Sequence, residues 1–128
     1  MSRALLIAAM IAAASPALAQ RKEREPPAPV APVSSGGIRY EAPPWGKDRG
    51  WGQNGGYVVA IDEGSGRELW AQRIYRVTYD RRMEGDKQDV FVTSLALAGD
   101  GRTLLIGNAR GERFRLDPVT RKVSRERR

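Results

Sequence analysis

The sequence predicts an all-β protein, a small antiparallel meander of about six strands joined by tight turns. Two observations carry this prediction. Beyond residue 37, apolar residues alternate with polar ones over short runs bounded by Gly, Asp and Asn, and none of these runs has the 3.6-residue period of a helix. A hairpin pattern also recurs after 55 residues. The 128-residue length allows one small domain.

The first nineteen residues have the pattern of a secretory signal peptide. The positive charge of Arg3 precedes an apolar run over residues 4–14, and the small side chains of Ala17 and Ala19 favour cleavage before Gln20. This run has about 11 residues, whereas a membrane-spanning helix needs about 20. We therefore expect a cleaved leader, no transmembrane segment in the mature chain, and a periplasmic or secreted bacterial protein.

Residues 20–37 are first charged, then Pro-rich, then rich in Ser and Gly, which predicts a disordered linker. Proline lacks a backbone donor and favours extended polyproline II, so this segment cannot contribute to a core. Two roles are open for it. It either tethers the following domain or serves as a proline-rich ligand for a partner domain, and we favour the tether.

The segment 38–56 is rich in Gly, Pro and Trp, and we expect it to form a loop at the start of the β domain. Its Trp45 and Trp51 side chains either fold back over the domain or stand exposed. We favour a hydrophobic lid over one open face of the sheet, because two unburied Trp residues are costly in a small domain. The alternative is an aromatic platform for a sugar ring or for a partner's side chain.

The β domain spans residues 38–126, and its strands follow from Gly56 onward. GYVVAID and the longer run RELWAQRIYRVTY are predicted to pair as a hairpin around the turn EGSG. The charged run over residues 80–89 is predicted to be a solvated loop. VFVTSLALA is largely apolar on both faces, which indicates a central strand covered on each side.

The remaining strands follow the strongest turn signal in the chain, Asp100-Gly101. This dipeptide predicts a hairpin into RTLLIGN. GERFRLD then alternates between apolar and charged residues, which is typical of a strand with one solvated face. KVSRE supplies a short, charged edge strand. The meander can curl into a small barrel or sandwich, remain an open sheet covered by the Trp loop, or complete a ring by oligomerisation, and we favour the first two.

Shifting the sequence by 55 residues reveals an internal repeat. The matched pairs are Gly56 with Gly111, Val59 with Phe114, Ile61 with Leu116, Asp62 with Asp117, Ser65 with Thr120, and Arg67 with Lys122. Each copy has alternating apolar residues, an Asp that accepts hydrogen bonds from turn N–H groups, a hydroxyl that closes the turn, and a cation that begins the return strand. The repeat therefore predicts two hairpins of the same design.

The first hairpin resembles the blade repeat of pyrroloquinoline-quinone-type and WD-like β-propellers. The matching positions are Gly56, Ala60, Ile61, Asp62, Ser65, Gly66, Arg67 and Trp70. Residues 90–123 likewise resemble one four-stranded blade with its turn at Asp100-Gly101. The resemblance implies blade-like hairpins, but it covers only about one and a half blades where closure needs about four. It includes no set of quinone-coordinating residues, so it implies no cofactor.

The composition excludes much catalytic chemistry. With no His and no Cys, the chain has no Ser-His-Asp triad, Cys nucleophile, Cys/His zinc site or disulfide. Asp62 and Glu63 lie in a turn, where Asp is the usual acceptor for backbone donors. The acidic residues of the 80–89 loop, Asp80, Glu84, Asp86 and Asp89, are interleaved with Arg81, Arg82 and Lys87, which oppose cation binding. We therefore predict no catalytic residues, no cofactor and no metal site.

The positive charge is concentrated at the C-terminus. The formal net charge is +7, and the basic tail, residues 121–128, holds five basic side chains and one acidic one. The candidate partner-binding residues are Trp45, Trp51, Tyr57, Arg121, Lys122, Arg125, Arg127 and Arg128.

These residues support three functional hypotheses. The first is an exported, non-catalytic β domain that acts as a periplasmic interaction or scaffold module and pairs with another envelope protein. The second is an electrostatic binder of an anionic envelope surface or polymer through the basic tail. The third and weakest is a carboxylate-based hydrolase. Nucleic acid is not expected as a partner of an exported protein.

Overall fold

The computed structural model describes residues 26–127. The predicted signal peptide, residues 20–25 of the predicted linker, and Arg128 lie outside the described residues. The strands are β1 (Val33–Ser35), β2 (Ile38–Glu41), β3 (Tyr57–Asp62), β4 (Glu68–Arg73), β5 (Val92–Leu97), β6 (Leu104–Asn108), β7 (Arg113–Leu116) and β8 (Val123–Arg125). Two single-turn 3-10 helices, Gly46–Arg49 and Gly85–Gln88, lie in the connections.

The strands form two four-stranded antiparallel sheets, each in simple meander order. The first sheet contains β1 to β4 and the second contains β5 to β8. This arrangement confirms the predicted all-β class, although the described residues hold eight strands in two sheets where about six strands were expected. None of the described helices is long and apolar enough to cross a membrane.

One hydrophobic cluster joins the two sheets. The first sheet contributes Tyr40, Val58 and Ala60, and the second contributes residues from β5, β6 and β7. The largest fully buried side chains include Leu104, Ile106 and Leu116, on the two central strands of the second sheet. Burial of this shared surface is the main favourable contribution to folding. The two sheets therefore form one folded unit with a common core.

Two predictions about individual strands were wrong. The strand predicted to be central, β5, lies at the edge of its sheet, because within residues 26–127 it pairs with β6 alone. A register shift between Val92 and Ser94 changes the alternation, so Val92 and Leu95 are both buried while Ser94 and Ala96 are exposed. The long predicted strand RELWAQRIYRVTY ends at Arg73, where Ile74 enters the core and the chain begins its crossover to the second sheet.

The first sheet begins earlier than the sequence pattern indicated. β1 lies within the segment predicted as linker, and β2 lies within the segment predicted as the Trp loop. Both strands are short, and β1 pairs with β2, which in turn pairs with β3. Their order therefore depends on the tertiary contacts of Val33, Ile38 and Tyr40 with the core.

Candidate functional site

Three Asp-initiated turns hold the hairpins together, and two of them belong to the repeat. Asp62 accepts hydrogen bonds from the Ser65 hydroxyl at 2.6 Å and from the Ser65 N–H at 3.2 Å. Asp117 accepts from the N–H groups of Val119 and Thr120 at 2.8 and 3.2 Å. These donors lower the pKa of both carboxyl groups below the usual range. The carboxylates therefore have the structural role expected of turn Asp residues.

Equivalent residues of the two repeats point towards the shared core in one sheet and away from it in the other. Val58 belongs to the core, whereas its repeat partner Arg113 is exposed. Phe114 belongs to the core, whereas its repeat partner Val59 lies on the outer side of the first sheet. The same face of the repeat therefore points in the same direction in both sheets, so the sheets stack head to tail. As a result, the two outer faces carry different residues.

The outer face of the first sheet is covered by the capping segment, residues 46–51. The ring of Trp51 stacks on Tyr57 with centroids 4.1 Å apart and planes at 11°. The guanidinium of Arg49 lies 4.6 Å from the Trp51 ring and donates to Glu68 on β4 at 2.6 Å. Below this cover, Val59 is only 2% exposed although it lies outside the shared core.

This geometry bears on the two interpretations of the Trp loop. The Trp51 ring is already engaged within the chain by the Tyr57 stack and the Arg49 guanidinium, which favours the lid over a platform for a sugar ring. Trp45 meets Phe91 edge to face at 5.6 Å and remains 37% exposed. The loop is thus built as a lid in which Trp51 and Tyr57 form one stack, while Trp45 packs separately from them.

A buried amide, Gln53, anchors the chain just after the capping segment. Gln53 is 3% exposed, and its Nε2 donates to the carbonyls of Gly55 and Tyr75 at 2.9 and 3.0 Å. Its Oε1 accepts from the N–H of Val77 at 3.1 Å. One side chain therefore satisfies three backbone groups and ties the Trp loop to the crossover between the sheets.

Asp89 was predicted to belong to the solvated loop of residues 80–89, but it is buried. Residues 81–84 are exposed as predicted, but Asp89 is 8% exposed. Its carboxylate accepts from the Tyr79 hydroxyl at 2.6 Å and from Asn54 Nδ2 at 3.2 Å. Tyr75, also in the crossover, donates its hydroxyl to the Val90 carbonyl at 2.6 Å, and burial raises the pKa of Tyr75 above its ordinary value. These contacts bind the crossover to the Trp loop.

The acidic residues do not gather into a metal site in the described part of the chain. Within residues 26–127, no group of three or more Asp and Glu side chains could hold a metal ion. Asp80 accepts hydrogen bonds from the backbone and side chain of Arg82, and these bonds lower its pKa. Glu84 lies 3.6 Å from Lys87.

The outer face of the second sheet is here called the open face. Strand register places its residues in two cross-strand rows, Ala96–Leu105–Arg115–Ser124 and Ser94–Gly107–Arg113–Glu126. Five of them are exposed, while Leu105, Gly107 and Glu126 are partly covered. A groove of about 290 Å³ crosses this face and is lined by members of both rows. The open face therefore runs from small and apolar residues on β5 and β6 to cationic residues on β7.

The net charge of the described residues lies entirely in the part of the chain that forms the second sheet. Residues 26–91 contain nine basic and nine acidic side chains, whereas residues 92–127 contain eight basic and four acidic ones. Two of the basic residues, Arg113 and Arg115, project from the open face. Arg115 lies 3.3 Å from Glu126, whereas Arg113 takes part in none of the salt bridges found among residues 26–127.

The structure separates the residues of the predicted basic tail. Arg121 occupies the β7–β8 turn, with its guanidinium 5.2 Å from the Trp70 ring of the first sheet. Arg125 lies in β8 and bridges to Glu112 at 2.9 Å. Lys122 and Arg127 are exposed. The described part of the tail is thus an edge strand whose charges are partly paired. It belongs to the second sheet, whereas Tyr57 lies in β3 of the first sheet and Trp45 and Trp51 lie in the connection between β2 and β3.

No protein-family model matches the chain, and comparison with curated proteins finds no similar sequence.

Proposed function

We propose that this protein is an exported, non-catalytic interaction module that binds another envelope protein on its open face. The observation that supports this proposal is the difference between the two outer faces. The capping segment covers the first with an aromatic stack, whereas the second leaves Ser94, Ala96 and Arg113 exposed around a groove. A concave face that combines small, apolar and charged groups is suited to binding.

The proposal includes the relation to propeller blades and the periplasmic location. Two meander sheets stacked head to tail resemble consecutive blades, and a propeller blade has a neighbour against each of its faces. In this chain a capping segment takes the place of one neighbour, and a bound partner takes the place of the other. The apolar leader pattern of residues 1–19 supports export.

Site-specific photo-crosslinking in cells that produce the protein tests this function. A photoreactive residue at Ala96, on the open face, is expected to give discrete adducts with an envelope protein. The same residue at Val119, an exposed turn position that is not on that face, is the matched control. Equal adducts from both positions, or none from Ala96, would contradict the proposal.

A second candidate is electrostatic adsorption to an anionic surface, favoured by the excess of basic residues over residues 92–127. Deleting residues 121–128 would be a poor test, because the deletion removes β8. Replacing the exposed cation Lys122 by Gln leaves the strand in place. Adsorption through the tail predicts that this variant weakens salt-sensitive binding to anionic vesicles, whereas binding through the open face predicts that its partner adducts persist.

A further inference from the structure

The open face has a charge pattern that specifies its partner more closely. Arg113 and Arg115 are two residues apart on β7, so their side chains leave the same face about 7 Å apart. An extended polypeptide presents every second side chain at the same spacing. Two carboxylates at positions i and i+2 of such a segment would therefore match the two guanidinium groups.

The rest of the groove favours a polypeptide over a simple polyanion. Beside the two arginines lie Leu105 and Ala96, which offer apolar contact. A bare polyanion has nothing to bury against Leu105, whereas an acidic peptide with apolar residues has both kinds of group.

A second concavity extends the same surface. A cleft of about 820 Å³ at the ends of β7 and β8 shares Arg113 and Glu126 with the groove and is also lined by Arg125 and Arg127. Its lining also includes Glu112 and Glu126, and Arg125 is paired with Glu112 at 2.9 Å. Arg113 and Arg127 take part in none of the salt bridges among residues 26–127, so these two cations of the cleft are available to a partner. Among the described residues, β8 pairs only with β7, so its outer edge offers unpaired backbone groups to an extended chain.

We propose that the open face binds an extended acidic polypeptide segment that carries apolar residues among its carboxylates. This inference rests on the proposed function and adds the chemistry of the partner to it. Arg113 is the central contact because no carboxylate of residues 26–127 pairs with it, so a partner's carboxylate does not have to displace an existing ion pair. Arg115 also binds the partner, but it must first break its ion pair with Glu126 and then pair with the incoming carboxylate.

Fluorescence anisotropy with labelled peptides tests the inference on the mature chain. The first probe repeats Glu-Val-Glu-Ser three times, and the second is an oligoglutamate of equal charge. We expect saturable binding of the mixed peptide, with the oligoglutamate weaker by about threefold or more because it makes no apolar contact. The affinity should fall as salt is raised, since charge pairs contribute to binding. Equal affinity for the two peptides, or no binding of either, would overturn the inference.

Two matched variants identify the contact. Arg113→Gln removes the open-face cation and is expected to weaken binding of the mixed peptide by about tenfold. Arg73→Gln removes an exposed arginine from β4 of the first sheet, where no described salt bridge is lost, and is expected to change the affinity by less than about twofold. Equal loss in both variants would mean that net charge alone governs binding and would overturn the inference. Circular dichroism and the thermal unfolding midpoint of each variant verify the fold.

Vesicles of phosphatidylglycerol and phosphatidylcholine distinguish a lipid surface from a peptide. Binding to these vesicles without binding to the mixed peptide would overturn the inference in favour of anionic lipid. Adducts at Ala96 together with failure of the acidic peptide would reject the partner chemistry while leaving the interaction function in place. The two proposals can therefore fail separately.

Discussion

Replacing Gly66 by Ala should destabilise the protein through backbone conformation alone. Gly66 closes the β3–β4 turn with a φ of 76°, and its N–H donates to the Asp62 carbonyl at 2.7 Å. A Cβ built at this position meets nothing within 4 Å, so the substitution creates no clash. Placing an L-residue in this left-handed region costs about 1–2 kcal/mol, and reduced freedom of the unfolded chain returns about 0.4–1 kcal/mol. We expect a net loss of about 1 kcal/mol.

Urea unfolding, followed by circular dichroism and Trp fluorescence, measures this loss. With a denaturant dependence of about 1–2 kcal/mol per molar, the unfolding midpoint should fall by about 0.5–1 M. Gly64 in the same turn is the matched control, because its φ is not positive and its Cβ would meet only the Asp62 carboxylate at an ordinary 3.9 Å. Gly64→Ala should therefore be neutral or slightly stabilising. An equal midpoint shift in both variants, or none in Gly66→Ala, would refute the conformational explanation.

The other copy of the repeat provides the reverse experiment. Arg121 occupies the position equivalent to Gly66, with a φ of 62° and the same hydrogen bond, here to the Asp117 carbonyl at 2.7 Å. Arg121→Gly should recover much of the conformational cost but lose the contact with Trp70, which contributes about 0.5–1 kcal/mol. We expect the two effects to cancel within about 0.5 kcal/mol. A loss as large as that of Gly66→Ala would contradict this balance.

Three further predictions concern the cap, its anchor and a turn. Trp51→Ala removes the stack on Tyr57 and should lower the free energy of unfolding in urea by about 2 kcal/mol. This loss is smaller than the about 3–5 kcal/mol expected for a fully buried aromatic side chain. No change would show that the capping segment does not stabilise the fold. Gln53→Leu leaves three backbone groups unsatisfied and should lower the free energy of unfolding by at least about 2 kcal/mol, whereas a neutral effect would contradict the proposed anchor. The hydrogen bonds from Thr103 lower the pKa of Asp100 to about 2, so the stabilising contribution of this carboxylate is complete above about pH 4 and is lost as the pH falls towards 2. The Asp100→Asn variant should therefore lose less stability than the wild-type protein over that pH interval. An unchanged pH profile would contradict the assignment.

Local chemistry determines the hairpins, which is why the sequence predicted them. The turns at Asp62 and Asp100 need only a carboxylate that accepts from a hydroxyl three residues later, and Asp117 accepts from the backbone N–H of the equivalent Thr120. The alternation in GERFRLD also appears directly in β7, where Phe114 and Leu116 are buried. Such features depend on neighbours in the chain, so they can be recognised from a single sequence.

The errors arise where distant contacts determine the structure. The register shift in β5 between Val92 and Ser94 changes which residues face the core, and alternation alone cannot reveal it. Asp89 is chemically like the exposed carboxylates before it, and it becomes buried only because Tyr79 and Asn54 reach it from other segments. The open face was missed for a similar reason, since its two rows combine residues from four strands.

The direction of sheet stacking also bears on the hypothesis of a ring completed by oligomerisation. A second copy could stack on the first sheet only by displacing the capping segment, which would break the Trp51 stack and the ion pair between Arg49 and Glu68. A sheet added to the other end would bury Arg113, which takes part in none of the salt bridges among residues 26–127, and burying an unpaired charge is costly. Both ends therefore disfavour an additional copy of this chain. A segment that brings its own carboxylates meets no such cost at the open face, because it supplies the partners that the arginines require.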